Sequence, residues 1–226
     1  MLRVARTGVG VRIVPYITCR EGETPAPHSS LRGVYGPDGR LRLSYRTELP
    51  GDRDLNGVLW ARCSQQVGSN GLPVGEPQWK LVHPARQRDC MQRLLCQICA
   101  QPARTPRGFI FLTSPGELPS GATTLHTTQP PVCLRHTRTA TTLCPALAGA
   151  PNILLVPTPR LHGVLGTPYS YGPNGIQPTP HTADFLPYGH PALPWYLASQ
   201  MVRRLQDFKI ITLEEIAQRE SESSST

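Results

Sequence analysis

Cys96 and Cys99 stand with two residues between them, and after 33 further residues Cys133 and His136 repeat that spacing. Thiolate and imidazole donors in such pairs suit one kind of chemistry. A short loop or helical turn aims two ligands at one point, and two such pairs complete a tetrahedron around a zinc ion. Four protein ligands leave no open position for a reacting water, so Cys96, Cys99, Cys133 and His136 are expected to hold a structural Zn2+ rather than a catalytic one. The competing reading is a set of buried structural cysteines. Cys144, eight residues after His136, and Cys90, six before Cys96, leave open whether either joins the site, whereas Cys19 and Cys63 have no ligand spacing.

The elements that must position these ligands are legible nearby. His83-Pro84 opens a helix, with proline at the first helical position, where its missing N–H costs nothing. That helix runs through Met91, Leu94 and Leu95 to Cys96, with Arg86, Arg88 and Arg93 on the side away from the apolar stripe. Gly108 to Leu112 reads as a short apolar strand and Thr123 to Thr128 as its partner. Pro130-Pro131-Val132 then delivers Cys133 to the first turn of a helix reaching Leu143, where Cys133 and His136 share a face.

Knuckle, hairpin and ligand-bearing helix in this order resemble the treble-clef zinc fingers, from Cys96 to about Leu147. The resemblance implies a metal-binding module and no particular activity. The segments Leu94–Ala103, Pro130–Cys133 and Leu143–Pro145, with Val82-His83-Pro84-x-Arg86-Gln87-Arg88 and Val58-Leu59-Trp60, are also similar to a group of uncharacterised actinobacterial zinc-binding proteins. That likeness spans roughly residues 9–165 and implies a bacterial cytoplasmic source.

Away from the ligands, Val9 to Ile17 reads as a strand, and Leu31–Tyr35 with Arg40–Arg46 as a hairpin closed by Gly36-Pro37-Asp38-Gly39. In its second arm Leu41, Leu43 and Tyr45 alternate with Arg40, Arg42, Ser44 and Arg46, giving one buried and one cationic face. Val58–Cys63, Asn152–Val156 and Phe208–Ile211 read as strands, Arg160–Leu165 as a partner strand, and Gln65–Gln78 as a loop. Nine prolines between Pro157 and Pro194 argue against regular structure there. Leu197, Met201, Val202 and Leu205 carry helical spacing from Leu193 to Gln206, and Thr212-Leu213-Glu214-Glu215 is a capping box. The expected fold class is therefore α+β: N-terminal antiparallel strands, a central treble-clef-like zinc module, a Pro-rich segment and a C-terminal helix. The corresponding parts are 1–80, a β-rich part; 81–150, the zinc module with its basic helix; and 151–226, packed on the same body.

Charge narrows the partner. The net charge is +8, and residues 100–205 carry seven Arg against only Glu117 and Asp184. A basic body favours nucleic acid, with Arg86, Arg88 and Arg93 on the helix leading into the knuckle as the candidate contacts. The bias of 21 Arg to two Lys is one that a GC-rich genome also produces. A protein partner is the other binding reading. No apolar run is long enough for a membrane span, none behind Met1-Leu2-Arg3 for a signal peptide, and unpaired thiols beside zinc fit the cytoplasm.

The enzymatic alternative places a small-molecule site under residues 157–194, where His162, His181, Asp184, His190, Tyr169, Tyr171 and Tyr188 are concentrated. A treble-clef nuclease would use His126 as base, but its neighbours Leu125 and Thr127 lack the acidic or histidine companion, and the helix offers only Thr137, Arg138 and Thr139. No P-loop, dinucleotide-binding glycine pattern, G-x-S-x-G or H-E-x-x-H is present.

Overall fold

Short apolar runs punctuated by 25 Pro and 20 Gly favour strands and turns over long helices, and the described residues form fourteen strands, two ten-residue α-helices and a helical turn over residues 213–216. The computed structural model describes residues 13–143, 147, 151–173, 175–180 and 185–216. Cys144, His181, Asp184 and the first residues of the strand expected over Val9–Ile17 lie outside them. The expected α+β class is overturned: the chain is mostly β, in several separate sheets, without a clear treble-clef arrangement. No helix among the described residues is long and apolar enough to cross a membrane. The chain divides into two compact units. The first is Met1–Ile17, Asp89–Leu161 and Arg203–Thr226; the second is Thr18–Arg88 and His162–Val202.

The first unit is built on a four-stranded antiparallel sheet. Its order is β14 (Lys209–Ile211), β9 (Asn152–Val156), β7 (Gly108–Thr113) and β6 (Arg104–Thr105). β7 is buried at every residue and β9 at four of five, as strands apolar on both faces must be. They pair from Phe109↔Val156 to Thr113↔Asn152 and form the core with Val132, Leu205, Ile211 and Ile216. The expected partner of β7 is displaced. β8 (Thr124–Thr127) pairs instead with Arg203–Gln206. Its Thr-Leu-His-Thr sequence cannot fill a two-sided core, which the run Ile153-Leu154-Leu155-Val156 of β9 does. The capping box forms as expected: Thr212 N–H donates to the Glu215 carboxylate at 2.7 Å and Glu215 N–H to Thr212 Oγ1 at 3.2 Å.

Gly108 is the tightest point of this sheet. Its φ is +129°, and a Cβ there would stand 2.3 Å from the Val156 carbonyl oxygen. Gly108→Ala should therefore lower stability by about 1–3 kcal/mol, the range for a forced backbone shift in a packed core. A reduced urea midpoint at unchanged slope checks this, and an unchanged midpoint would show that the sheet yields without cost.

The second unit contains β1 (Thr18–Arg20) paired with β5 (Pro77–Val82), and the hairpin β2 (Leu31–Tyr35) with β3 (Leu41–Tyr45) in the register Leu31↔Tyr45 to Tyr35↔Leu41. Gly39, at φ +72°, closes its turn. Leu31, Leu43 and Tyr45 pack on Leu59 and Tyr169. The Pro-rich segment is not irregular: β10 (Arg160–Gly172), β11 (Gly175–Pro178) and β12 (Leu186–Pro187) lie in it. Pro178 and Pro187 end their strands, and Pro168 contributes its carbonyl, accepting from Thr179 N–H at 2.9 Å, so these rings are tolerated.

The helix expected over Leu193–Gln206 is likewise absent. A 3-10 turn, Leu193–Trp195, leads into β13 (Tyr196–Gln206), which pairs in parallel with β4 (Leu59–Trp60) through Leu197↔Leu59 and Ala198↔Trp60. The Gln87 side-chain amide takes both main-chain groups of Met201, at 2.8 and 2.9 Å. Helical spacing of four apolar residues yields to these pairings, because strand preference is set mostly by what a strand packs against.

Candidate metal centre

The first ligand pair sits on a turn made by ending a helix. α1 (Pro84–Arg93) stops as Leu94 takes a left-handed φ of 55°, and Leu95 N–H returns to the Cys90 carbonyl at 2.9 Å. Cys96 N–H then donates to Gln101 O at 2.7 Å, and Ala100 N–H, at φ 56°, to Cys96 O at 2.8 Å. This knuckle holds the Cys96 and Cys99 sulfurs on one side. Arg203, buried in the same unit, secures the helix end by donating Nη2–H to Met91 O at 2.6 Å and Nε–H at 2.9 Å.

The second pair is brought up by main-chain bonds. Val132 N–H donates to Ile110 O at 2.8 Å, and Gln97 N–H donates to Pro131 O at 2.9 Å, fastening the segment before Cys133 to both β7 and the knuckle. α2 (Leu134–Leu143) starts there, with His136 and Thr137 N–H both donating to the Cys133 carbonyl. One helical turn thus sets His136 beside Cys133.

The four donors converge. Cys133 Sγ lies 3.2 Å and Cys96 Sγ 3.9 Å from His136 Nδ1, Cys99 and Cys133 sulfurs are 3.9 Å apart, and all four ligand atoms fall within 4.8 Å of one another. Bonds of about 2.3 Å to sulfur and 2.0–2.1 Å to nitrogen give a tetrahedron with edges of about 3.6–3.8 Å. The observed separations bracket that range. Cys96 and His136 are buried while Cys99 and Cys133 are half-buried, so the cluster closes on its inner side and meets solvent on the other.

Electrostatics of the donor set point the same way. Hydrogen bonds from the Cys133 and Cys99 thiols hold Cys96 far below the ordinary thiol range, and the Cys96 sulfur in turn pushes Cys133 far above it. Without a cation, one thiolate is stabilised only by keeping a neighbour protonated. A divalent ion at the centre removes that conflict by favouring thiolate at every sulfur. Cys90 is not part of the group: it is fully buried, its thiol is pushed up to about 12 by burial first and Asp89 next, and it donates weakly to the Cys96 carbonyl.

The arginines of α1 part company. Arg86 is 1% exposed, and in the second unit it forms a two-pronged ion pair with Glu23 at 2.6 and 2.7 Å and donates to Thr18 O at 2.8 Å. It is therefore not presented to solvent. Arg88 is half-buried, donating to Gly51 O at 2.9 Å with its guanidinium 4.8 Å from the Trp60 ring. Only Arg93 is exposed, near Asp89 at 3.2 Å. Glu23 is a residue that periodicity could not connect with Arg86, since 63 positions separate them.

The remaining candidates are scattered. His126 is exposed on β8 opposite Arg204. Tyr188 donates to Asp54 at 3.2 Å, Tyr169 bonds His28 at 2.5 Å, and His162 meets the Phe185 ring edge-on. His190 Nδ1 accepts the Ala192 N–H at 3.2 Å, and Tyr171 is exposed. Among the described residues these side chains serve local contacts, and none joins a metal-ligand group. Set against models of protein families, curated proteins and solved structures, the chain matches none, so no match carries the treble-clef or the actinobacterial likeness.

Proposed function

We propose that this chain is a zinc-stabilised binding protein of a reducing compartment such as the bacterial cytoplasm, and that its partner is nucleic acid. Three soft sulfur donors and one imidazole in a tetrahedron suit zinc over harder ions. The closed ligand set supports a structural role, and the free thiols Cys19, Cys63 and Cys90 support a reducing setting.

The observation that carries the nucleic-acid reading is the state of the surface arginines. Arg32, Arg40, Arg46, Arg104, Arg107 and Arg135 are exposed, and none is within ion-pair distance of a carboxylate among the described residues. Unpaired guanidinium groups on both units are available to phosphates. The test is fluorescence anisotropy of labelled DNA and RNA oligonucleotides at rising salt. For about four phosphate contacts the affinity should fall roughly a hundredfold from about 50 to about 200 mM salt. Absence of binding at the lower salt would sink the reading.

A protein partner is favoured by one separate feature. Trp79 and Leu81, 49% and 53% exposed, stand on β5, which pairs only with β1 among the described residues. Binding that requires these two residues and ignores salt would replace the nucleic-acid reading with this one.

A further inference from the structure

We infer that the outer face of the β2–β3 hairpin is the surface that grips the nucleic-acid backbone; the inference rests on the nucleic-acid reading above and names its site. Paired residues of an antiparallel ladder share a face, so Arg32↔Ser44 and Val34↔Arg42 place Arg32 and Arg42 together, away from Leu31, Leu43 and Tyr45. Arg46, two residues beyond Ser44, falls on the same face, and its N–H continues the ladder to Ser30 O at 2.7 Å. Arg32 is thus flanked diagonally by Arg42 and Arg46, each about 7–8 Å away along the backbone positions.

The acids near this face are already engaged. Glu48 accepts Ser44 Oγ–H at 2.6 Å and binds Arg53 through both oxygens at 2.9 and 3.0 Å. Asp38, in the turn, accepts the Arg40 main-chain N–H at 3.1 Å. None of Arg32, Arg42 and Arg46 reaches a carboxylate within ion-pair distance among the described residues. Arg46 is held by its Nε–H bond to Ser29 O at 2.8 Å, which leaves the rest of its guanidinium group unused by that bond. Arg42 lies along the Gly36 backbone, and its Nε is buried without a hydrogen-bond partner. Glu48, held on Ser44 between Arg42 and Arg46, offsets part of the repulsion among these like charges, and its own partner Arg53 leaves the patch with more cations than anions.

The dimensions select a polymer over a single phosphate. Arg42 and Arg46 are four residues apart on one strand, about 13 Å at the rise of an extended chain, with Arg32 between them on the neighbour. One strand of nucleic acid carries a phosphate about every 3.4 Å of its axis, so several phosphates lie across this triangle at once. Three guanidinium forks can each take one of them bidentately. Such contacts hold the backbone without reading bases, so little dependence on sequence is expected.

The experiment uses the full zinc-loaded chain and a labelled 20-nucleotide single strand, its duplex, and inorganic phosphate as competitor. Three variants are compared with wild type: Arg32→Gln/Arg42→Gln/Arg46→Gln; Arg32→Gln/Arg42→Gln, which keeps the Arg46 bond to Ser29; and Arg104→Gln/Arg107→Gln/Arg135→Gln as the contrast in the first unit. Each arginine lost from a phosphate contact should lower the slope of log affinity against log salt by about one. The triple hairpin variant should therefore lose about three from the slope and the double variant about two, with at least a tenfold loss of affinity at low salt. Millimolar phosphate should compete poorly with the strand. If both hairpin variants keep the wild-type slope while the contrast variant loses its own, the inference is wrong and the nucleic-acid reading stands. If the wild-type protein binds neither probe at low salt, both are wrong.

Discussion

Replacing Cys99 with serine is expected to reduce the metal content from one equivalent per chain to none and to unfold the first unit. Structural zinc in finger-sized sites contributes roughly 10–16 kcal/mol of apparent binding free energy at neutral pH. That rivals the whole stability of an ordinary domain, about 5–15 kcal/mol. In this unit the centre is part of the core, with Cys96, Ile98 and Val132 buried among β7 and β9, so losing the ion disturbs the packing around it. The knuckle from Cys96 to Gln101, the Pro131–Cys133 segment and the start of α2 meet through a handful of main-chain bonds and through the ligands. A serine hydroxyl offers neither the charge nor the softness of a thiolate, so the remaining three donors hold the ion weakly. Elemental analysis after dialysis gives the stoichiometry. Hydrogen exchange at Ile110, Phe111 and Leu154, in the centre of the sheet, reports the folding of the unit. Cys19→Ser, remote from any ligand spacing, should leave the metal content at one. Wild-type protein with less than half an equivalent of zinc, or a Cys99→Ser variant that keeps its zinc, would rule out this metal centre.

What could be read in the sequence follows from the range over which each interaction acts. The two ligand pairs are local patterns, and the turns that form them use residues within six positions, so spacing alone located the cluster. The β2–β3 hairpin was legible for the same reason: its register is set by a four-residue turn and a period of two. β13 is not legible because Leu197, Met201, Val202 and Leu205 satisfy a helical period, while what makes it a strand is its neighbours β10, β4 and β8, together with Gln87, none of them adjacent to it in sequence. The fold class is hidden with it, since several strands lie in the Pro-rich segment, where Pro178 and Pro187 end their strands and Pro168 is accommodated inside β10. The position of Arg86 in the helix suggests a solvated face, and its burial follows from Glu23 and the Thr18 carbonyl, both brought in by tertiary folding.

That buried pair carries the second large expected effect. Glu23→Ala should destabilise the second unit by about 3–5 kcal/mol, the range for removing one partner of a buried ion pair and stranding the other charge. The Glu23 carboxylate does more than neutralise Arg86: it also accepts the Arg20 N–H at 2.7 Å and the Gln66 N–H at 3.3 Å, joining β1 to the segment after Cys63. A Glu23→Leu/Arg86→Met double variant should recover part of the loss, because it leaves no charge uncompensated. All three tryptophans, Trp60, Trp79 and Trp195, belong to this unit, so their fluorescence follows its unfolding in urea without interference from the metal centre. Acid supplies an independent signature. Burial alone would raise the Glu23 pKa, but the Arg86 hydrogen bonds, followed by the Arg20 N–H, outweigh it and hold the group at about 2, against an ordinary value of 4.5. A carboxylate depressed in the folded state contributes stability that is complete above its unfolded value and is lost as pH falls through its folded value. The urea midpoint of the tryptophan transition should therefore decline between about pH 4.5 and about pH 2. In Glu23→Gln, which cannot ionise, this part of the decline should be missing and the midpoint should already be low at neutral pH. A Glu23→Gln protein as stable at pH 7 as the wild type would show that the pair is replaceable by neutral hydrogen bonds and that Arg86 is buried for its packing alone.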